Sequence, residues 1–351
     1  MAGPAGSRRP CYRSSVTIVH RLSFVMPAFG EADNLPQMLP RVLAQASLCD
    51  ELEVVVVDDH SRDDTFAVLQ EWGARDSRIK AIRLARNSGS HMAVLCGLSA
   101  CTGDAVVVLA ADGQDPPEFT NELLAARARG HQVVWAVRSA REGETLLTRL
   151  FSRLYYATMN RWSSVQLPPS GADFLMLDRR VVDALVEIPE RNTSLLALIT
   201  WLGFNQTSLP YIKEARLSGR SKWTFRKKVR LALDSLIGFS TLPLRMATTV
   251  GTVFGGAGFV YAGLLVANKL SGGAIFGEAP IVGWNALMVT VLVSSGTLMV
   301  MLGVVGEYLW RALEEVRGRP RFVAEAEVNL PPPGAGRPHP LVASDGPGVS
   351  T

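Results

Sequence analysis

Along the first half of the chain, short apolar runs rich in β-branched residues alternate with longer stretches whose apolar residues recur every three to four positions. Leu22–Phe29, Glu53–Val57, Ala105–Ala110 and Gln132–Val137 are of strand length and end at polar turns, which predicts buried parallel strands. Leu35–Ala46, Thr65–Arg75, His91–Cys101 and Glu118–Arg129 have helical periodicity and lie between them. Alternation of strand and helix predicts an α/β, Rossmann-like doubly wound sheet with helices on both faces. In such sheets ligands bind beyond the carboxyl ends of the strands, which directs attention to the residues that follow each strand.

The second half follows a different pattern. No charged residue occurs from Met246 to Asn268, and as a helix that stretch is about 35 Å long, enough to cross a bilayer core. A second uncharged run, Ala279–Gly306, predicts a return span and hence a two-helix transmembrane hairpin. Arg216, Arg220, Lys222, Arg226, Lys227, Lys228 and Arg230 precede the first span, and Arg311, Arg317, Arg319 and Arg321 follow the second. The connecting loop offers only Lys269, so the positive-inside rule predicts a multi-pass protein of the inner (cytoplasmic) membrane with the α/β domain and both termini cytoplasmic. Thr224–Arg245 interleaves apolar and basic residues as an interfacial amphipathic helix does, and Thr145–Val165 has a similar pattern that a core-facing helix explains almost as well. Gly251 and Gly255 form a GxxxG that allows close helix pairing, which is the basis for expecting a homo-oligomer.

The expected organisation is a basic disordered tail at 1–21, an α/β domain at 22–223, a juxtamembrane helix at 224–245, the hairpin at 246–310 and a largely disordered cytoplasmic tail at 311–351. Composition agrees with lipid contact. Charged residues make up only 19% of the 351 residues, against roughly 25% in an average soluble domain. The net charge of +4 is too mild to argue for nucleic acid. The 4 cysteines lack the density of a disulfide framework and any CxxC spacing, so they read as reduced thiols.

Chemistry-bearing residues follow the predicted strands. After the second come Asp58 and Asp59, carboxylates able to accept hydrogen bonds from ribose hydroxyls or a base, whereas Asp63 and Thr65 read as caps of the next helix. No G-x-G-x-x-G follows the first strand, where Met26-Pro27-Ala28-Phe29-Gly30-Glu31 stands instead, and this argues against a nicotinamide dehydrogenase. Asp112, Gln114 and Asp115 in Asp112-Gly113-Gln114-Asp115-Pro116-Pro117-Glu118 place oxygen ligands within four positions. That arrangement suits a hard divalent cation bridging a diphosphate, although the same residues also open a helix.

In order along the chain, Pro27-Ala28-Phe29-Gly30-Glu31, Asp58-Asp59-His60-Ser61, Arg86-Asn87-Ser88-Gly89, the Asp112–Glu118 segment, Ala172-Asp173-Phe174, Pro189-Glu190-Arg191-Asn192 and Arg216-x-x-Gly219-x-Ser221-Lys222-Trp223 are present. With the hairpin, these motifs resemble the family 2 glycosyltransferases of GT-A fold, and within them the polyisoprenyl-phosphate glycosyltransferases. The resemblance implies inverting transfer of a sugar from a nucleotide donor, UDP-sugar favoured over GDP-mannose, to the phosphate of a membrane polyprenol. By that resemblance Pro27, Phe29, Glu31, Asp58, Asp59 and Asn87 contact the nucleotide. Asp112 and Gln114 hold Mg²⁺ or Mn²⁺, and Asp112, Asp115 and Arg138 are catalytic. Arg138, Arg216, Ser221 and Lys222 hold donor diphosphate or lipid phosphate. Expected partners are the nucleotide sugar, polyprenyl phosphate, membrane lipids and a flippase. Against the family pattern, Ala110 stands where another Asp is usual, Gly30 where Asn, His60 where Gly and Gly113 where Leu. Two alternatives stand beside this reading: a transferase with a non-lipid acceptor, and a non-catalytic membrane module that binds nucleotide sugar.

Overall fold

A computed structural model describes residues 19–138, 173–190, 194–214, 242–271 and 284–330, and all structural statements concern these. The elements run β1 (Val19–Ala28), α1 (Leu35–Leu43), β2 (Cys49–Asp58), α2 (Thr65–Arg75), β3 (Ile79–Leu84), α3 (Ser90–Ala100), β4 (Ala105–Val108), α4 (Thr120–Ala128) and β5 (Val133–Arg138). They continue with β6 (Leu175–Asp178), α5 (Arg179–Glu187), α6 (Leu195–Trp201), β7 (Gln206–Tyr211), α7 (Leu242–Leu270), α8 (Trp284–Val316) and β8 (Ala324–Val328). One sheet takes all of these strands in the order β7-β5-β6-β4-β1-β2-β3-β8.

The predicted helices cover both faces of the sheet. Because side chains alternate along a strand, Phe24, Met26, Val54 and Val56 join one core with Leu35, Met38 and Leu39 of α1, Phe66 and Leu69 of α2, and Leu123 and Leu124 of α4. Val25, Val55 and Val57 face the other core with Leu95 and Leu98 of α3, Val181 and Leu185 of α5, and Leu198 of α6. Each fully buried Leu, Val or Phe contributes about 1.5–3 kcal/mol relative to an exposed one, so these two cores hold the sandwich together.

The four predicted strands β1, β2, β4 and β5 run parallel to one another as expected, and strands that the pattern did not predict make the sheet mixed. β1 is parallel to β2 and β4, and β2 to β3. β6 lies between β4 and β5 and runs antiparallel to both. β8 closes the opposite edge, antiparallel to β3. β3 has no counterpart among the predicted strands, because Lys80 and Arg83 interrupt its apolar pattern; Lys80 reaches Glu53, and Arg83 stacks 5.7 Å over Phe66. β8 lies within 311–351, where a structureless tail is expected: its alternating Ala and Glu carry too little apolar surface to read as a strand, yet Ala324 is buried against the sheet. After β3 the chain returns through α3 to the other side of β1, so the topological switch point lies between β1 and β4.

α7 and α8 pack together; a Cβ on Gly251 would meet Met301 Cε at 2.9 Å, so the first glycine of the GxxxG serves a contact within the chain. Among the described residues one stretch, the 24 residues Val293–Val316 of α8, is long and apolar enough to cross a membrane. It overlaps the C-terminal half of the expected second span, and among the described residues no second stretch of this kind accompanies it as the expected two-span hairpin requires. Glu307 and Arg311, expected to end the span, pair one turn apart at 3.1 Å within the helix. Phe254, Phe259 and Val260 of α7 and Leu298, Leu302 and Leu309 of α8 are exposed. The predicted amphipathic segment 145–165 and residues 224–241 of the predicted juxtamembrane segment 224–245 lie outside the described residues, as do 1–18 and 331–351, while residues 242–245 belong to α7 and not to a separate helix.

Candidate active site

The carboxyl ends of β1 and β2 are tied to each other. Asp59 donates its backbone N–H to the Ala28 carbonyl at 2.9 Å. Gly30 donates to Ser61 Oγ at 2.8 Å and Glu31 to Thr65 Oγ1 at 2.9 Å, while Asp63 accepts from Thr65 Oγ1 at 2.6 Å. The N-cap position of α2 is Asp64, which makes no side-chain cap bond; Asp63, one residue earlier, accepts from Thr65 N at 3.3 Å, so it and Thr65 brace the start of α2 without being its cap. Phe29, 36% exposed at the end of β1, presents an aromatic face at the mouth of the switch point.

The two aspartates that follow β2 differ in what they hold. Asp58 is fully buried; its Oδ1 accepts from Ser61 N at 2.9 Å, and its Oδ2 lies 3.9 Å from Arg83 Nε. Asp59 accepts from Ser88 N at 2.6 Å and Gly89 N at 2.9 Å, and its carbonyl accepts from Asn87 Nδ2 at 3.2 Å. Asp59 and Asn87, both predicted nucleotide contacts, thus brace the Arg86–Gly89 loop against β2. Burial raises the Asp59 carboxyl above its ordinary range despite those two backbone donors. His60 adopts φ 59°, the left-handed conformation in which glycine is at ease, and its Nδ1 is anchored 3.0 Å from the Leu84 carbonyl.

Across the switch point, the turn after β4 gathers the remaining predicted groups. Asp112 is 7% exposed and its Oδ1 accepts from Gln114 N at 3.1 Å. Asp115 is 1% exposed, accepting from Tyr211 Oη at 2.6 Å and from Ala110 N at 3.3 Å, with Lys213 Nζ at 3.9 Å. Burial pushes the Asp115 carboxyl up, Lys213 and Tyr211 oppose that, and the neighbouring Asp112 adds to it. Tyr211 is in turn raised by burial and by Asp115. Arg138 ends β5 in register with Tyr211 on β7 and sits against its hydroxyl.

Asp112, Gln114, Asp115 and Arg138 are therefore brought to one place, at the ends of β4, β5 and β7. Pro27, Phe29, Glu31, Asp58, Asp59 and Asn87 line the ends of β1, β2 and β3. Arg216, Ser221 and Lys222 lie outside the described residues. Sequence reasoning missed Tyr211, Lys213 and Glu214, whose backbone N–H donates to the Gln114 carbonyl at 2.9 Å. It also missed Arg41, which bridges Glu118 at 2.8 Å and Glu214 at 3.0 Å and so clamps the acidic turn to the segment after β7. The only signal was Tyr-Ile-Lys-Glu at the end of an alternating run. Its relevance follows from the antiparallel insertion of β6, which sets β7 beside β5.

The sequence profile of glycosyl transferase family 2 matches residues 23–186, which span β1 to α5 and so both halves of this site. An uncharacterized glycosyltransferase of Synechocystis is 35% identical over 303 residues, covering 86% of this chain and 94% of that protein. This chain belongs to glycosyl transferase family 2. The undecaprenyl-phosphate 4-deoxy-4-formamido-L-arabinose transferase of Pseudomonas fluorescens is 33% identical over 330 residues, covering 93% of this chain and 95% of the relative. The crystal structure of glucosyl-3-phosphoglycerate synthase from Mycobacterium tuberculosis with Mn²⁺, UDP-glucose and phosphoglyceric acid is 20% identical, with a TM-score of 0.43 over 62% of this chain and 78% of that one. The family 2 protein described here is accordingly a glycosyltransferase with the expected GT-A, Rossmann-like α/β domain, joined to an apolar helix of membrane-spanning length.

Proposed function

We propose that this glycosyltransferase moves a sugar from a nucleotide donor, a UDP-sugar in preference to GDP-mannose, to the phosphate of a polyprenyl lipid such as undecaprenyl phosphate. The observation that carries the reading is the cluster of buried Asp112, Asp115 and Tyr211 with half-buried Lys213 and Arg138 at the ends of β4, β5 and β7, in the same chain as the apolar helix α8. The 33% identity to the arabinose transferase over nearly the whole of both chains supports the lipid acceptor.

A phosphate acceptor suits such a site. Its monoester is ionised near neutral pH, so an acceptor oxygen attacks the anomeric carbon without a strong general base. A bond forms from that oxygen to the carbon as the bond to the departing nucleoside diphosphate breaks on the opposite face, which inverts the configuration. The protein's task is to hold two anions in line and stabilise the charge that leaves. Arg138 and Lys213 supply positive charge at the ends of β5 and β7, and Arg216, Ser221 and Lys222 are proposed to meet the lipid phosphate. Phe29, Glu31 and Asp58 are proposed to form the nucleotide end.

The donor set fits a divalent cation of one kind. Among the described residues no group of three His, Cys, Asp or Glu side chains is placed to hold an ion by itself. Mg²⁺ and Mn²⁺ sites built on one or two carboxylates take the remaining ligands from water and substrate phosphates, and Asp112 with Gln114 is suited to that role. Such an ion, when bound, neutralises the leaving diphosphate.

We place the α/β domain and both termini on the cytoplasmic side of the inner membrane, with α7 and α8 as a two-span hairpin. The absence of charge from Met246 to Asn268 and the arginines at both ends of the pair support this topology. The test is to incubate the purified protein with undecaprenyl phosphate, Mg²⁺ or Mn²⁺ and a panel of radiolabelled UDP- and GDP-sugars, then extract the organic phase. Label in the lipid with one donor is the expected result; donor binding without any labelled lipid would overturn the acceptor.

A further inference from the structure

Beyond α8 the chain returns to the α/β domain as β8, an edge strand that pairs with β3 and is no part of the site described above. It is fastened at both ends. Ala85 donates its N–H to the Val323 carbonyl at 2.8 Å, and Asn329, in the left-handed conformation at φ 56°, donates its side-chain amide to the Gly73 and Ile79 carbonyls at 2.8 and 2.9 Å. Between these ends Arg83 pairs with Ala326 and Leu84 with Ala324, so Glu325 is the extra residue of a β-bulge. In an unbroken strand residues two apart share a face. The bulge turns the strand over instead: Ala324 joins the core with α3, whereas Ala326 and Val328 pack with α1 and α2 on the other face.

A bulge re-aims the side chain it releases, and here that side chain is a carboxylate set among the groups that follow β2. Glu325 Oε2 lies 3.2 Å from Arg83 Nε and 3.6 Å from His60 Nδ1. Arg83 Nε lies 3.9 Å from Asp58 Oδ2, and Arg83 Nη2 donates to the Ser61 carbonyl at 3.4 Å. Among the described residues neither Arg83 Nε nor Asp58 Oδ2 has a hydrogen-bond partner. The guanidinium is therefore placed by charge, between a buried carboxylate on one side and the nearer, half-exposed Glu325 on the other.

The groups that Arg83 touches lead to the predicted nucleotide contacts. Ser61 donates its N–H to Asp58 Oδ1 at 2.9 Å, and its Oγ accepts from Gly30 N at 2.8 Å. Gly30, at φ 64°, stands between Phe29 and Glu31. Glu325, Arg83, Ser61 and Gly30 thus form one continuous chain of contacts from the strand that follows α8 to the mouth of the switch point. With the Glu325 charge gone, the carboxylate nearest to Arg83 is that of Asp58, and attraction to it would draw the guanidinium inward and the Ser61 turn with it.

We propose that Glu325 is a positioning residue for the nucleotide end of the donor site: by holding Arg83 it sets the Ser61 turn and, through Gly30, the place of Phe29 and Glu31. The inference rests on the reading that this end of the sheet binds the nucleotide, and not on which sugar or acceptor is used. It makes donor affinity depend on the segment that follows the apolar helix.

The test measures binding of UDP and of GDP to the full chain in detergent micelles by titration calorimetry. In Glu325→Gln the dissociation constant of whichever nucleotide the wild type binds should rise about fivefold, the scale of a substitution that reaches a site through its neighbours. The unfolding midpoint should stay where it is, because an ion pair with a half-exposed partner contributes little to stability. Asn329→Ala, which loosens the end of β8 and leaves Glu325 its partners, should lower the midpoint and keep the wild-type affinity. In an Arg83→Gln background Glu325→Gln should cost less than about twofold, since the path it acts through is already cut. An equal loss of affinity in Asn329→Ala, or the full loss from Glu325→Gln in the Arg83→Gln background, would overturn the positioning role. Affinity lost in Phe29→Ala but unchanged in Glu325→Gln would overturn the proposal and leave the nucleotide reading standing. Wild-type affinity in Phe29→Ala, or no binding of either nucleotide by the wild type, would overturn that reading and the proposal with it.

Discussion

Tyr211 donates its hydroxyl hydrogen bond to Asp115 Oδ1 at 2.6 Å, joining the end of β7 to the turn after β4 across 96 residues of sequence. With Ala110 N on its other oxygen, the Asp115 carboxylate is committed to fixing the shape of the acidic turn. Asp112, whose Oδ1 accepts from Gln114 N at 3.1 Å, is the carboxylate of this turn that we propose to face a donor diphosphate.

Tyr211→Phe removes that bond and leaves a buried carboxylate oxygen short of a donor. The expected cost is about 1–3 kcal/mol of stability, read as a lower denaturant midpoint. Sugar transfer should fall about tenfold through the displaced turn. A variant with wild-type midpoint and turnover would remove Tyr211 from the positioning role.

Asp112→Ala should lower turnover by about 10²–10³-fold while the protein remains folded in membranes with an unchanged unfolding midpoint. The comparison is between initial rates at saturating donor and acceptor for equal amounts of membrane-inserted protein. Turnover at the wild-type rate would sink the assignment of Asp112 to the leaving diphosphate.

The strands that carry a dense apolar run, β1, β2, β4 and β5, were legible in the sequence, and the acidic groups after β2 and β4 with them. β3 was not, because Arg83 serves Phe66 on one side and Asp58 and Glu325 on the other, so its charge reads as surface although it is mostly covered. Tyr211 and Lys213 were invisible as site residues for a topological reason: nothing local announces that β6 inserts between β4 and β5 and brings β7 alongside. Asp59 illustrates the converse. Its place after a strand marked it as a ligand contact, but a carboxylate in that position equally suits a neighbouring loop's backbone N–H groups, and the local sequence does not distinguish the two.

Stability should depend on pH through Glu53. Burial pushes this carboxyl up, but Lys80, Ser23 and the Thr102 N–H more than offset it, and its folded pKa lies below the ordinary value of 4.5. A depressed carboxyl contributes stability that is fully present above the unfolded pKa and is lost as pH falls through the folded one, so the window opens near 4.5 and extends to lower pH. Glu53→Gln should flatten this acid limb of the melting profile and, by leaving Lys80 without its partner, cost about 3 kcal/mol at neutral pH. An unchanged acid limb in the variant would assign the effect elsewhere.

Gly97 sets how closely α3 approaches the sheet. A Cβ there would run into Val25 Cγ1 of β1 and meet Val57 Cγ2 of β2 at 3.3 Å. Gly97→Ala is therefore expected to destabilise by about 1–3 kcal/mol despite alanine's higher helix propensity, and thermal unfolding of the purified protein measures it. A stabilised variant would mean that α3 shifts outward freely.

Ala110 offers a test of metal binding that does not depend on turnover. It precedes Asp112 by two residues, where the family usually carries a further aspartate, and its backbone N–H already holds Asp115. Ala110→Asp places a third carboxylate beside two that are buried. Without a cation the added charge repels its neighbours, so the variant should melt lower in chelator than the wild type. With Mn²⁺ it gains a ligand, and the concentration of Mn²⁺ that gives half of the thermal shift should fall by about tenfold, the scale of one additional charged oxygen ligand. The two changes have opposite signs, so a general loss of stability cannot imitate them. A variant that melts lower in chelator and shows the wild-type Mn²⁺ midpoint would mean that the cation, if it binds, is held by substrate phosphates and Asp112 without help from this position.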